Sequence, residues 1–323
     1  MKTISINDLS EFKIGHTTNV QAGTGCTVLL SEEGAVAGVD VRGGSPGTKE
    51  TDLLKSENLV NQVHGIFLSG GSAFGLDVGG GVLKFLEEKN IGFDVSVAKV
   101  PIVPGAILFD LMVGEPKTRP DAQYGYDACI HALGSSVFNS GSVGAGTGAT
   151  IGKVLGSDHV MKGGIGSYAI QIGDLKVGAV VAVNCFGDVI DPSTGTVIAG
   201  VQADGKLLFT EKQLLHQTHD AQTNRFNGNT TIGCIITNAS MTKAEANKIA
   251  SCAHDGLART MRPSHAFVDG DTLFVMSSDR VKVDLNGLAS IAANVVEQAV
   301  LDAVKSADSL FGIKAYKDME GKE

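Results

Sequence analysis

The chain has 323 residues, 43% of them hydrophobic and 19% charged, which is enough for one large domain or two ordinary ones. Its net charge is −9, with acidic and basic residues interspersed, so nucleic acid is not an expected partner, because phosphate binding needs a basic surface. The 42 glycines and only 7 prolines indicate close backbone approaches inside a packed fold rather than a disordered linker.

Three features predict a cytoplasmic protein that does not span a membrane. The first eight residues lack the apolar segment of a signal peptide. The longest apolar run, residues 177–183, is far too short to cross a bilayer. The cysteines are scattered, odd in number and without a CxxC pair, which is typical of reduced core cysteines. They are Cys26, Cys129, Cys185, Cys234 and Cys252.

The first part of the chain predicts short strands around turns, followed by a helix. Residues 27–30 and 35–41 are two candidate strands, and a Gly-Gly-Ser-Pro-Gly turn ends the second. Residues 65–69 form a third strand, which leads into a glycine-rich turn over residues 70–75 and a helix to about Glu88.

The turn at residues 70–75 joins a strand to a helix, so its backbone N–H groups could hold an anion. It matches neither the GxGxxG nor the Walker pattern. Two interpretations stay open here, a tight connection or an anion site. A non-enzymatic anion-binding protein built on this turn would lose its ligand when Gly70 or Gly71 is changed.

A second glycine-rich segment, residues 141–149, leads to Lys153. A strand opens near residue 164, and the apolar strand 177–183 ends at Asn184. The Asn184 amide could stabilise an oxyanion, and Lys153 could supply a positive charge in a site. The alternatives are an ordinary strand-ending residue and a solvated lysine.

Residues 210–229 are polar, with no clear amphipathic period after about Leu215, and predict a surface connection. His216 and His219 stand three residues apart within it. No Glu lies between them and no third ligand is near, so a metal site is not expected. The Thr-nucleophile mechanism considered below needs no metal or organic cofactor.

Asn229-Thr230 ends this polar segment and opens an apolar stretch, so a Thr stands on the first position of a buried strand. That arrangement is the one needed for self-cleavage before Thr230. The freed Thr would carry its own α-amine as general base, which activates a weak hydroxyl nucleophile. The alternative is a turn residue followed by a strand residue.

The remaining chain alternates strands and helices. A strand covers residues 230–237, and Thr242 with Glu245 forms a capping box that predicts a helix to about Arg259. Residues 272–276 form another strand. The final helix has an apolar face, made of Leu288, Ile291, Ala292, Val295 and Ala299. This mixture predicts a layered α/β fold with no separate second domain.

Asp269-Gly270-Asp271 precedes the strand at residue 272. Two carboxylates around a glycine could hold an N-terminal Thr by hydrogen bonds. A glycine turn before a strand is the alternative.

Together these residues resemble the DmpA-type family of self-processing aminopeptidases and amidases, whose mechanism is that of N-terminal-nucleophile (Ntn) hydrolases, and most of all its nylon-oligomer hydrolase branch. The resemblance covers nearly the whole chain in order and spacing. The stretches that carry it are residues 228–232, 237–238, 262–265 and 269–274, with 40–44, 70–76, 144–146, 152–153, 183–184 and Gly187 upstream.

The resemblance implies a four-layer α/β/β/α sandwich formed by residues 1–323 as one domain. Cleavage between Asn229 and Thr230 would give an α chain of residues 1–229 and a β chain of residues 230–323. Thr230 would be the nucleophile, Asp269 and Asp271 would orient it, Asn184 would line the oxyanion hole and Lys153 would support the site. The same resemblance implies a tetramer of αβ units that acts on small amides or peptides.

One residue departs from the nylon-oligomer branch. Phe109 stands before Asp110 where that branch has a Tyr, so a hydroxyl at the expected substrate pocket is missing. The substrate is therefore left open. An acyltransferase related to the ornithine acetyltransferases, which also self-cleave before a Thr, is a second hypothesis. Formation of acetyl-glutamate from acetyl-ornithine and glutamate would distinguish it from a hydrolase.

Overall fold

The structure is a computed structural model that describes residues 1–134, 137–217 and 228–319. Five α-helices are described: α1 Val78–Glu88, α2 Ala122–Leu133, α3 Thr210–Gln217, α4 Lys243–Thr260 and α5 Leu285–Ser306. The first nine strands in the described ranges are β1 Lys2–Ile4, β2 Lys13–Asn19, β3 Thr24–Val41, β4 Thr48–Lys49, β5 Gln62–Ser69, β6 Phe93–Asp94, β7 Lys99–Val100, β8 Gly105–Ile107 and β9 Thr150–Ile151. The others are β10 Met161–Lys162, β11 Gly164–Ile172, β12 Leu175–Asn184, β13 Asp188–Asp191, β14 Thr196–Ala199, β15 Gln202–Ala203, β16 Lys206–Leu207, β17 Thr230–Ala239, β18 Met261–Arg262 and β19 Thr272–Val281.

One ten-stranded mixed sheet organises the molecule, in the order β1-β11-β12-β17-β19-β3-β5-β8-β4, with β2 paired to β3 as well. The pairs β17–β19 and β5–β8 are parallel and the other pairs are antiparallel. The sheet has two halves that share strand β3: one contains β1, β11, β12, β17 and β19, and the other contains β2, β5, β8 and β4. Residues 24–30 of β3 pair with β2 and residues 36–41 pair with β19. The pairing of β3 with β5 covers residues 26–30 and, after a register shift, Ala35 and Val36.

Alternation along the strands separates three apolar layers. Leu29 of β3 faces the other half of the sheet, where it joins one buried cluster with Ile232 and Phe274. Its neighbour Val28 points the opposite way, into a cluster that α1 and α2 complete. Helices α4 and α5 cover the remaining face over β12, β17 and β19. The two halves of the sheet therefore face each other and helices cover both outer faces, which confirms the α/β/β/α sandwich.

The helices form where local signals and close packing agree. Thr242 caps α4 through the Glu245 N–H, and the Glu245 carboxylate accepts the Thr242 N–H, as the capping box predicts. Helices α1 and α2 touch so closely that a Cβ on Gly81 would lie 1.6 Å from the Ala122 carbonyl oxygen. Helix α5 has the length and hydropathy of a membrane span, but more than half of it is buried against α4, β11 and β12.

The structure differs from two expectations about local structure. Residues 27–30 and 35–41 are parts of one strand, because β3 continues through residues 31–34, where Gly34 has a φ of 81° and the pairing with β5 shifts register. Residues 210–217 lie mostly at the surface, as expected of a connection, but they form helix α3, which was not predicted. The buried Thr210 N–H and hydroxyl bind the Asp188 carboxylate at the start of this helix, a long-range contact that no local pattern announces. Residues 218–227, which include His219, lie outside the described residues.

The topology brings the polar ends of several strands together. Strand β17 lies between β12 and β19, and its first residue, Thr230, is paired with Asn184 at the end of β12. The turn before β19 lies beside it, because Asn229 and Asp269 form an isolated parallel bridge. Side chains from distant parts of the chain thus meet at one edge of the central strands.

A candidate active site at the start of strand β17

Thr230 and the peptide bond before it are buried, with 4% of Thr230 and 2% of Asn229 exposed. The Thr230 hydroxyl donates a hydrogen bond to the Asn229 carbonyl oxygen. That carbonyl oxygen also accepts the Gly270 N–H at 2.9 Å. The hydroxyl therefore lies beside the carbonyl group that it would attack, and a backbone donor already faces the oxygen on which negative charge would form.

The surroundings of Gly270 leave no room for a side chain at this position. A Cβ on Gly270 would lie 2.7 Å from the Thr230 Oγ and 2.9 Å from the Ser45 carbonyl oxygen. Any side chain would push the turn away from Thr230 and lengthen the hydrogen bond to Asn229. The sequence placed this glycine between two acidic residues but gave no sign of its backbone donor, because backbone groups carry no residue-type signature.

Lys153 lies fully inside the site, with 3% exposed. Its ammonium group donates to the Asn184 side-chain oxygen at 2.7 Å, the Asn184 carbonyl at 3.0 Å and the Gly228 carbonyl at 3.1 Å. Burial lowers the pKa of Lys153 to about 7, against the charges of Cys185, Asp269 and Asp110, which raise it. Lys153 therefore connects the end of β12 to the residue that precedes Asn229, and it is not a solvated surface lysine.

Asn184 is completely buried, and its amide group is fully engaged. Its Nδ2 donates to the Phe109 carbonyl at 2.9 Å and to the Gly228 carbonyl at 3.3 Å. Its Oδ1 accepts from Lys153 and from the Thr150 N–H at 2.9 Å. The Asn184 donor thus faces the backbone on the N-terminal side of Asn229, whereas Gly270 faces the Asn229 carbonyl itself.

Asp269 accepts two backbone hydrogen bonds, from Ala266 at 2.9 Å and from Phe186 at 3.2 Å. Burial, and next the charge of Asp271, raise the pKa of Asp269 to about 7. Such a carboxyl can hold or release a proton near neutral pH, as acid–base groups in enzymes do.

Asp271 is held by three donors. Its Oδ1 accepts the Thr231 N–H at 2.8 Å, and its Oδ2 accepts the His265 N–H at 3.0 Å and His265 Nδ1 at 2.9 Å. The carboxylate thereby fixes the first peptide of β17, next to Thr230. All five residues expected at the site, Thr230, Asp269, Asp271, Asn184 and Lys153, are therefore assembled around one peptide bond.

Phe109 lies at the same edge, over Gly228. A Cβ on Gly228 would lie 2.1 Å from the Phe109 ring, and Gly228 has a φ of 54°, which also favours glycine. A small cavity of about 40 Å³ opens beside the ring, with room for a few water molecules. Its lining combines Lys153 and Asp110 with the apolar side chains of Phe109, Met112, Val113, Val160 and Ile313.

The glycine-rich turn at residues 70–75 already binds an anion, which is the carboxylate of Asp110. Asp110 accepts the Gly71 N–H at 2.7 Å and the Thr24 hydroxyl at 2.7 Å. A Cβ on Gly70 would lie 2.0 Å from Asp110 Oδ2, and Ser72 N–H is bound to the Leu108 carbonyl. The observed contacts favour the tight-connection interpretation of this turn.

Comparisons with solved structures define the class of fold. The β-aminopeptidase of a Burkholderia species has a TM-score of 0.69 at 18% identity, covering 98% of this chain and 92% of that chain. The L-aminopeptidase D-Ala-esterase/amidase of Ochrobactrum anthropi, described as a variant of the Ntn hydrolase fold, has a TM-score of 0.67 at 17% identity, covering 95% and 87%. The chain thus has an Ntn-hydrolase type of fold.

Sequence comparison then gives the family. The model of Peptidase family S58 matches residues 5–317, so the chain belongs to that family. An uncharacterized aminopeptidase of Mycobacterium leprae is 37% identical over 98% of this chain and 94% of its own length. The 6-aminohexanoate-oligomer endohydrolase of a Kocuria species is 30% identical over 92% and 85%. The expected family is therefore confirmed.

Proposed function

We propose that this protein is a self-processing aminopeptidase or amidase whose nucleophile is the Thr230 that is exposed by cleavage after Asn229. The observation that carries the proposal is the position of the Asn229 carbonyl, which lies between the Thr230 hydroxyl and the Gly270 N–H. Family membership and the names of the relatives support the class of reaction.

Self-cleavage begins when Thr230 Oγ attacks the Asn229 carbonyl carbon. The C–O bond forms, the C–N bond breaks, and the hydroxyl proton moves to the Thr230 nitrogen. Gly270 N–H stabilises the oxyanion of the intermediate. Water then hydrolyses the ester, which releases the Asn229 carboxylate and leaves Thr230 with a free hydroxyl and α-amine.

Substrate hydrolysis repeats this chemistry on another amide. The α-amine of Thr230 takes the hydroxyl proton while Oγ attacks the substrate carbonyl, and the same proton passes to the leaving amine. Water resolves the acyl-Thr230 ester. Asp271 keeps the start of β17 in place through the Thr231 N–H. We assign Asp269, whose backbone is the bridge partner of Asn229, to interact with the new ammonium group.

Lys153 and Asn184 act on the acyl side of the cleaved bond. Both donate to the Gly228 carbonyl, so they hold the segment that precedes the bond before cleavage. After the new Asn229 carboxylate leaves, the same two donors are positioned for a substrate carbonyl group. We expect short amides or peptides as substrates and a tetramer of αβ units as the assembly.

The first experiment measures intact masses under denaturing conditions for the wild-type protein, Thr230→Ala and Thr231→Ala. Wild type is expected to give species of about 24 and 10 kDa, from 229 and 94 of the 323 residues in a 33.3 kDa chain. Thr230→Ala should stay at full mass and hydrolyse neither alanine 4-nitroanilide nor linear 6-aminohexanoate oligomers.

Thr231→Ala is the matched control, because the neighbouring Thr is equally buried but its hydroxyl contacts Met261 sulfur instead of the Asn229 carbonyl. This variant should be cut like wild type. Processing and activity of Thr230→Ala at the wild-type level would refute the proposal.

A further inference from the structure

His265 lies beside the site with a strained backbone and a ring nitrogen that is unpaired within the described part of the chain. Its backbone has a φ of 56°, in the left-handed region that non-glycine residues rarely adopt. Its ring Nε2 is buried and has no hydrogen-bond partner among the described residues. Buried polar atoms are usually paired, so a residue kept in such a place calls for a reason.

The neighbouring His254 ring also has a buried nitrogen without a hydrogen-bond partner among the described residues. His254 of α4 packs edge-on against His265, with ring centroids 4.9 Å apart at 69°. His254 Nε2 donates to the Asp40 carbonyl at 3.0 Å, while its Nδ1 is buried and also without a partner among the described residues. The His254 ring therefore packs against the His265 ring and restricts its orientation. No hydrogen bond between the two rings competes with the one from His265 to Asp271.

Among the described residues, the His265 ring makes one hydrogen bond, from Nδ1 to Asp271 Oδ2 at 2.9 Å. An ionised carboxylate only accepts hydrogen bonds, so His265 Nδ1 carries the hydrogen. The His265 N–H reaches the same oxygen at 3.0 Å, and the other oxygen holds the Thr231 N–H at 2.8 Å. The ring thus completes the set of donors that fixes the Asp271 carboxylate in one orientation.

We infer that His265 is a positioning residue for the nucleophile: its Nδ1–H orients Asp271, which holds the Thr231 N–H and so fixes Thr230 for attack. This inference rests on the proposed function. His265 reaches Thr230 only through Asp271 and Thr231, so it orients the reacting group without touching it. Its loss should lower the rate of attack and leave substrate binding unchanged.

His265→Gly and His265→Asn separate the donor from the backbone. Glycine relieves the positive φ and removes the ring donor. Asparagine also tolerates this backbone region, and its Nδ2 stands the same number of bonds from Cα as His Nδ1. A role of the backbone alone would make the two variants equal, whereas the inference requires asparagine to be clearly the better.

The experiment follows the rate of self-cleavage, and then kcat and KM on alanine 4-nitroanilide, for wild type and both variants, with melting temperatures as a check on folding. A hydrogen bond to a charged group of usual strength corresponds to about a ten- to hundredfold lower kcat and cleavage rate in His265→Gly. KM should stay within about threefold, and His265→Asn should recover most of the loss.

Equal rates for His265→Gly and His265→Asn, with an active wild type, would overturn the role of His265 and leave the proposed function standing. An uncut and inactive wild type would overturn both. If His265→Gly does not fold, His265→Asp takes its place, because it matches asparagine in shape but turns an acceptor toward Asp271. It should then be slower than His265→Asn, and equality would again refute the inference.

Discussion

Two buried lysines show how similar chemistry can serve different ends in this fold. Lys153 and Lys162 are both buried, and burial lowers the pKa of each to about 7. Each donates to at least three oxygen atoms of the described residues. Lys162 binds the carbonyls of Gly146 and Ala149, in the glycine-rich segment 141–149, and the carbonyl of Gly163, the next residue along the chain. Lys153 binds Asn184 and Gly228, beside the Asn229–Thr230 bond.

A buried charge with a shifted pKa therefore does not by itself mark an active site. Three oxygen acceptors satisfy the three N–H groups of an ammonium ion, which offsets part of the free-energy cost of burying each charge. What separates the two residues is the part of the chain to which their acceptors belong. Lys162 fixes a turn, whereas Lys153 joins two segments that meet at the proposed cleavage site.

The strongest test of this comparison replaces Lys153 by Met. The variant should lose about a hundred- to a thousandfold in self-cleavage and in kcat, because an electrostatic donor beside the reacting peptide is removed. Both rates are measured by mass spectrometry and anilide hydrolysis, per folded molecule. Rates within about threefold of wild type would show that Lys153 is as purely structural as Lys162.

Lys162→Met should reverse the pattern. Each of the three buried carbonyls loses the ammonium donor, and those of Gly146 and Ala149 keep a backbone N–H donor. The free energy of unfolding should therefore fall by about 3 kcal/mol. Urea unfolding measures this loss. Activity per folded molecule should stay within about threefold, and a large loss of activity at unchanged stability would contradict the assignment.

The pH dependence of that loss follows from the lowered pKa of Lys162. Between about pH 7 in the folded state and about 10.4 in the unfolded state, the unfolded chain binds more protons. The stabilising contribution of Lys162 therefore rises with pH, by up to about 1.4 kcal/mol per unit. The deficit of Lys162→Met should be larger at pH 9 than at pH 7, and a constant deficit would contradict the shifted pKa.

The smallest expected effect concerns Phe109, whose ring borders the cavity next to Lys153. Phe109→Tyr adds one hydroxyl, and a single neutral hydrogen bond changes kcat/KM by about two- to tenfold. The change should favour 6-aminohexanoate oligomers over alanine 4-nitroanilide and leave self-cleavage unaltered. Equal changes for both substrates would show that this side of the Lys153 site does not select the substrate.

Much of the local structure could be predicted from the sequence. The capping box at Thr242 begins α4 as expected, the apolar face of Leu288 and Val295 is buried in α5, and Thr230 stands first on β17. These features depend on neighbours within a few residues, which the sequence displays directly. The extent of β3 was missed, because its path through residues 31–34 is decided by strands paired from elsewhere.

The residue types of the site and the family of the chain could be predicted from the order of residues. Three contacts could not: Lys153 with Gly228, Gly270 N–H with the Asn229 carbonyl, and His265 with Asp271. Sheet pairing and packing between distant segments set these distances. Backbone donors and ring orientations depend on that packing and leave no pattern in the order of residues.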